Sequence, residues 1–150
     1  MLPMTSTDAH GEGAVFDRLR ERIPATLPGL LGIEIVAYER GRVEARLPIR
    51  PELLAPNGYL HAATVIGLAD SACGFGCVAS LPDGATGFTT VELKANFVGT
   101  ARDGAIACVA TLTHGGRTTQ VWDAEVIDEA TGKTIALFRC TQMILRSAPA

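Results

Sequence analysis

Residues 58–77 read GYLHAATVIGLADSACGFGC, small and apolar almost throughout, with Asp70 as the only formally charged side chain. From Ala62 to Leu81 the apolar run approaches the roughly 20 residues that cross a bilayer. A carboxylate near its centre, several glycines and no flanking basic cluster argue instead for a helix buried inside a protein, with no membrane partner. Ala, Gly, Ser and Cys at positions 62, 63, 67, 69, 71–74, 76 and 77 keep that helix narrow, so that a curved sheet can close around it. Gly67, Gly74 and Gly76 each cost roughly 1 kcal/mol of helix stability relative to alanine. Some close approach must compensate, and the candidates are the sheet, a partner helix or a ligand.

Outward from this segment the chain alternates clearly between elements. Residues 1–12 are polar and Gly-containing and read as a flexible tail; 13–150 read as one domain. AVFDRLRERI then places Val15, Phe16, Leu19 and Ile23 at helical spacing, and Pro24 and Pro28 end that short helix. GIEIVAYERGRVEARLPI alternates on either side of Arg40-Gly41, as a hairpin does, and RPELLAPNGYL is loop. After Leu81-Pro82-Asp83-Gly84 come four strand-like runs: GFTTVELKANFV, GAIACVATLTH, TTQVWDAEVID and TIALFRCTQMIL. Helix, hairpin, long helix and four consecutive strands make an α+β domain, one antiparallel sheet wrapped around a single central helix.

Composition excludes several function classes. The 150 residues carry a formal charge of -3, with Lys and Arg scattered singly, so there is no basic stripe for nucleic acid. Cys73, Cys77, Cys108 and Cys140 lack CxxC spacing, and no Cys or His pair elsewhere completes a site for Cys73 and Cys77, so no metal is expected. The N-terminus has neither a basic region nor an apolar core of a signal peptide, which makes the cytoplasm the expected setting.

GYLHAATVIGLADSA resembles the Gly-x-x-His-Gly-Gly then Leu-x-Asp signature of the PaaI-type (phenylacetate-pathway) hotdog acyl-CoA thioesterases, with His61 and Asp70 nine residues apart. TTVELKANFVGTARDG is similar to that family's third strand and following turn, and HGGRTTQVWDAEVIDEATGKTIA to its last hairpins. The resemblance implies a hotdog fold, an acyl-CoA substrate with no cofactor besides the CoA it carries, and a dimer or a dimer of dimers. There are two departures. The usual double glycine is Ala62-Ala63, which leaves the main-chain donors in place, and the asparagine common six residues before the histidine is Ala55, leaving Asn57 as the nearest substitute.

Hydrolysis of a thioester needs a donor for the carbonyl oxygen and a group that attacks the carbonyl or deprotonates water. Taken alone, Asp70 reads as a satisfied core carboxylate and His61 as a cap. The motif joins them: Asp70 as general base or nucleophile, and the free N–H groups near Ala62 and Ala63 as oxyanion donors, with His61 orienting that turn or the carbonyl. At about 1.5 Å per residue, Ala62 lies roughly 12 Å along the helix axis from Asp70. If the two act on one thioester, two antiparallel copies of the helix must meet in a symmetric dimer. Ser71 and Cys73 lack the settings of a nucleophile. CoA's phosphates call for a basic rim, with Arg117 and Thr118 at the HGGRTT turn as the phosphate contacts and Lys94 and Asn96 on strand flanks; Ala63 and Ser71 complete the substrate-binding set, and Arg102 sits at another turn. The competing reading is a non-catalytic acyl-CoA-binding protein on the same fold.

Overall fold

The computed structural model describes residues 8–148. Of the stretch assigned to a tail, residues 1–7 lie outside the described residues, and α1 (Asp8–Arg22) begins within the remainder. Phe16 on this helix stacks on Tyr38 of the sheet, ring centroids 4.7 Å apart. Pro24 sits in the 3-10 turn Ile23–Ala25 that stops α1, and Pro28 in the first turn of the five-residue α2 (Leu27–Leu31), where its missing N–H costs nothing. β1 (Glu34–Glu39) and β2 (Arg42–Pro48) form the expected hairpin, and Gly41 at the turn has φ of 79°, a left-handed conformation that glycine adopts without penalty. Alternation is cleanest in β2, where Val43, Ala45 and Leu47 are buried and the residues between them are not.

The central helix α3 (Ala62–Ala79) follows, then β3 (Ala85–Phe97), β4 (Ala105–Gly115), β5 (Thr119–Asp128) and β6 (Thr134–Arg146). All pairings are antiparallel and the sheet order is β1-β2-β4-β5-β6-β3. The four last strands are thus consecutive in sequence but not in the sheet. β3 lies at the far edge beside β6, and residues 98–104 carry the chain back to β4 past the start of α3, where Ala101 C=O accepts from Leu60 N–H at 3.1 Å.

α3 packs chiefly across β2, β4 and β5. The core around it includes Leu68, Ala72, Cys73 and Cys77 from the helix and Val43, Leu47, Ile106, Trp122, Val126 and Ile135 from the sheet. The helix is long and apolar enough to cross a membrane by length and composition, and here the sheet covers it. Its glycines have the close approaches their cost demands. A Cβ at Gly76 would lie 2.5 Å from Cη2 of Trp122, one at Gly74 would lie 3.1 Å from Cζ of Phe88, and one at Gly67 would lie 2.6 Å from Cδ1 of Leu31. The sheet accounts for two of the three and α2 for the third.

Candidate functional site

His61 is the N-cap of α3, and its Nδ1 accepts from Ala63 N–H at 2.9 Å. With Nδ1 used as an acceptor, a neutral imidazole carries its proton on Nε2, which is left as a donor on an exposed side chain. His61 C=O accepts from both Thr64 and Val65 N–H, at 3.0 and 3.3 Å. Of the first turn's N–H groups, Ala62's alone has no hydrogen-bond partner among the described residues. The two candidate oxyanion donors therefore separate: Ala63 N–H serves the cap, and Ala62 N–H is free at the positive end of the helix dipole.

The loop that presents this turn is pinned by its own hydrogen bonds. Thr64 Oγ1 and His61 N–H both donate to Leu53 C=O, at 2.9 and 3.1 Å. Asn57 is exposed, and its Oδ1 accepts from Tyr59 N–H at 3.1 Å, so that oxygen already serves the turn. The Arg102 guanidinium lies 4.1 Å from the centroid of Tyr59, which puts a cation beside the start of α3. Sequence reasoning did not single out Tyr59; its one signal is an aromatic ring directly after the Asn57-Gly58 turn.

Asp70 sits two turns further along. Its Oδ1 is buried and, among the described residues, has no hydrogen-bond partner. Desolvation holds its carboxyl above the ordinary carboxylate range. Leu68, Ala69, Ala72 and Cys73 around it are fully buried, whereas Ile66, Gly67, Asp70 and Ser71 form a partly exposed stripe on the helix. A carboxylate with a stranded oxygen at the edge of an apolar core is costly as structure and suited to accept a proton.

The remaining predicted contacts are spread over the chain. Lys94 and Asn96 are exposed on β3 opposite Arg139 and Leu137, on the face turned away from α3. Arg117 and Thr118 lie in the β4–β5 turn at the opposite pole. Arg117 C=O accepts from Arg146 Nη2 at 3.0 Å, and Arg146 Nη1 donates to Asp83 C=O at 2.7 Å, just beyond the end of α3. The 18 residues of α3 put roughly 27 Å between that pole and His61. No single chain gathers these groups.

The four cysteines are free thiols, all buried. A hydrogen bond with Cys140, together with burial, pushes Cys73 well up, and burial pushes Cys77 and Cys108 up to about 12. None is a nucleophile in waiting. Among the described residues no group of three or more His, Cys, Asp and Glu side chains is arranged to hold a metal ion.

β3 is unusual for a strand of this length. Its inward-facing Leu93 and Phe97 remain 40% and 46% exposed. Among the described residues nothing pairs with its outer edge.

Comparison with known proteins bears on this geometry. The sequence profile of the thioesterase superfamily matches residues 57–135, a span that begins at the α3 approach loop and ends in β6. Over 111 residues the chain is 33% identical to a 1,4-dihydroxy-2-naphthoyl-CoA hydrolase of Listeria monocytogenes, covering 74% of this chain and 89% of that one. The structure of a thioesterase from Haemophilus influenzae matches with a TM-score of 0.79 at 25% identity, over 87% of this chain and 90% of that one. The PaaI protein of Escherichia coli, from the phenylacetic acid degradation operon, matches with a TM-score of 0.80 over 93% and 96%; at 21% identity this is a likeness of fold. With the profile matched over more than half of the chain and a hydrolase relative at 33% identity, this sheet wrapped around a small-residue helix belongs to the thioesterase superfamily as a hotdog-fold hydrolase.

Proposed function

We propose that the protein hydrolyses the thioester of a small aromatic or short-to-medium-chain acyl-CoA, and that it does so as a dimer, or a dimer of dimers, with each site shared between two subunits. The observation that carries this reading is the Asp70 carboxylate, its Oδ1 buried with no partner among the described residues, on the same helix whose first turn leaves Ala62 N–H free. The naphthoyl-CoA substrate named for the Listeria relative favours the aromatic end of that range. Reduced buried cysteines and a CoA substrate fit a cytoplasmic setting.

In the antiparallel dimer, Ala62 of one subunit lies near Asp70 of the other. The thioester oxygen takes hydrogen bonds from Ala62 N–H and His61 Nε2–H, donors fixed before the reaction and aimed where negative charge develops. Asp70 then acts by one of two routes. As a base it takes a proton from water while the water oxygen bonds to the carbonyl carbon; the oxyanion collapses, the C–S bond breaks, and the CoA thiolate takes up the proton. As a nucleophile its oxygen displaces the thiolate to form a mixed anhydride, which water cleaves. Single turnover in ¹⁸O-water with enzyme in excess separates the routes: the base route puts the solvent oxygen in the released acid, whereas the anhydride route, with water attacking the Asp70 carbonyl, leaves it on Asp70. Antiparallel pairing also brings the far pole of one subunit, with Arg117 and Thr118, toward the α3 start of the other, where Arg102 adds a second cation for CoA's phosphates. Lys94 and Asn96 enter as rim contacts to the CoA tail, while Ala63 and Ser71 flank the acyl end and Asn57 keeps its Nδ2 free for substrate.

The exposed inner face and free edge of β3 are where the second subunit fits. Leu93→Glu places a charge there, and the expected product is a 15.7 kDa monomer by light scattering that has lost thioesterase activity in parallel. A fully active monomer excludes shared sites. The first test of the reaction itself is thiol release from a panel of phenylacetyl-, hydroxybenzoyl-, butyryl-, hexanoyl- and decanoyl-CoA. Turnover is expected for the aromatic and shorter acyl groups; binding of these compounds without turnover makes the protein an acyl-CoA binder instead.

A further inference from the structure

The five residues of α2, LPGLL, are held more firmly than so short a helix requires. Arg50 donates from Nη1 to Leu31 C=O at 2.7 Å and from Nη2 to Leu30 C=O at 2.5 Å, closing off the C-terminal carbonyls. Gly32, at φ of 86°, turns the chain away directly after them. Leu27 and Leu30 are left 59% and 71% exposed, and Leu31 alone turns inward, its Cδ1 seated on Gly67 of α3. Helical spacing places Ala63, Gly67 and Asp70 on one face, the same stripe that stays partly exposed. Leu31 therefore crosses that stripe between the free N–H of Ala62 and the carboxylate.

We infer that Leu31, seated on Gly67, is the stop that sets how long an acyl group the site accepts. This inference rests on the acyl-CoA reading above. An acyl group whose carbonyl is held at Ala62 and which runs down the stripe has about 7 to 8 Å of helix before it meets Leu31. That depth holds one ring or a short chain and turns back a long one. Gly67 is the residue that makes the stop fit, because a Cβ there would displace the end of Leu31, and Arg50 is the clamp that keeps α2 in place.

The test is calorimetric binding of S-propyl-, S-hexyl- and S-decyl-CoA thioethers, which cannot be hydrolysed, to the full-length wild type, to Leu31→Ala and to the milder Leu31→Val. In the wild type affinity is expected to fall between hexyl and decyl. Leu31→Ala is expected to tighten decyl at least tenfold relative to propyl, with Leu31→Val intermediate. An unchanged chain-length profile in both variants, or a uniform loss at every length, makes Leu31 a packing residue only and overturns the inference. So does absence of thioether binding to the wild type. Thioethers that bind while the matching thioesters are not cleaved overturn the hydrolase reading alone, and the chain-length profile still decides the role of Leu31.

Discussion

Asp70→Asn lowers kcat/KM for the best acyl-CoA by at least a hundredfold and, at neutral pH, raises the melting temperature of the protein. The first half follows from removing the group that takes the proton or attacks the carbonyl, a contribution on the order of 10² to 10⁴ for a general base. The second follows from where the carboxylate sits. Desolvation raises its pKa, so the folded state holds this proton more tightly than the unfolded chain does. Stability consequently falls as pH rises from about 3.9, the value for an exposed aspartate, through the folded-state pKa, and stays at the lower level above it. Asparagine has no proton to lose. The gain in melting temperature is therefore present above the folded-state pKa and vanishes as the pH is lowered below about 3.9. Melting curves from about pH 3 to 8, with initial rates on the same samples wherever the protein is folded, read both effects. In the wild type the acid limb of kcat/KM is expected above the ordinary carboxylate range. A variant that keeps its rate, or melts lower than wild type at pH 7, makes Asp70 a structural residue.

That trade between stability and activity shows why the site was half legible in the sequence. A charged residue amid small apolar ones violates the pattern that specifies a core helix, and such violations are expected where function resides. Alternation and turn residues also marked the Arg40-Gly41 turn and every strand, and small-residue composition marked α3, because these are local signals. The expected need for a close approach at Gly67, Gly74 and Gly76 was met, but the partners were not readable: Trp122, Phe88 and Leu31 come from three different elements. Sheet order is equally non-local. GFTTVELKANFV carries no mark saying that it pairs with the last strand rather than the next one, although its alternation of Leu93, Ala95 and Phe97 with Lys94 and Asn96 does set the last two on the face away from the apolar residues. Arg117 and Thr118 stand out in the sequence as a cation and a hydroxyl at one turn, and only the third dimension puts them a helix length from His61. The choice between Ala62 and Ala63 as donor depended on one ring nitrogen, since the His61 cap uses one N–H and spares the other.

Gly76→Ala is expected to destabilise the protein by about 1 to 3 kcal/mol, whereas Gly67→Ala, the same change on the same helix, should be close to neutral. Alanine is worth roughly 1 kcal/mol more than glycine inside a helix at either position, so the difference must come from what the new methyl meets. At Gly67 it meets a single atom, Cδ1 of Leu31, and moving that side-chain end off its seat costs about what alanine gains. At Gly76 it meets Cη2, Cζ3 and Cζ2 of Trp122, at 2.5, 2.6 and 3.1 Å. That indole is fully buried, and its Nε1 donates to Gln120 Oε1 at 2.8 Å while Gln120 Nε2 donates to Ser80 C=O at 2.8 Å. It has nowhere to rotate without giving up a buried hydrogen bond worth roughly 1 kcal/mol, on top of an overpacking cost of about 1 to 3 kcal/mol. The crowding atoms all belong to the six-membered ring that phenylalanine would not place there. In a double-mutant cycle, Trp122→Phe is therefore expected to cost stability alone, by opening a cavity beneath Gly76, and to cost markedly less in combination with Gly76→Ala, whose methyl enters that space. Denaturant titrations of the four proteins measure the coupling. Strictly additive losses would mean that the helix and the indole do not press on each other, and that the glycines of α3 answer to something other than the sheet.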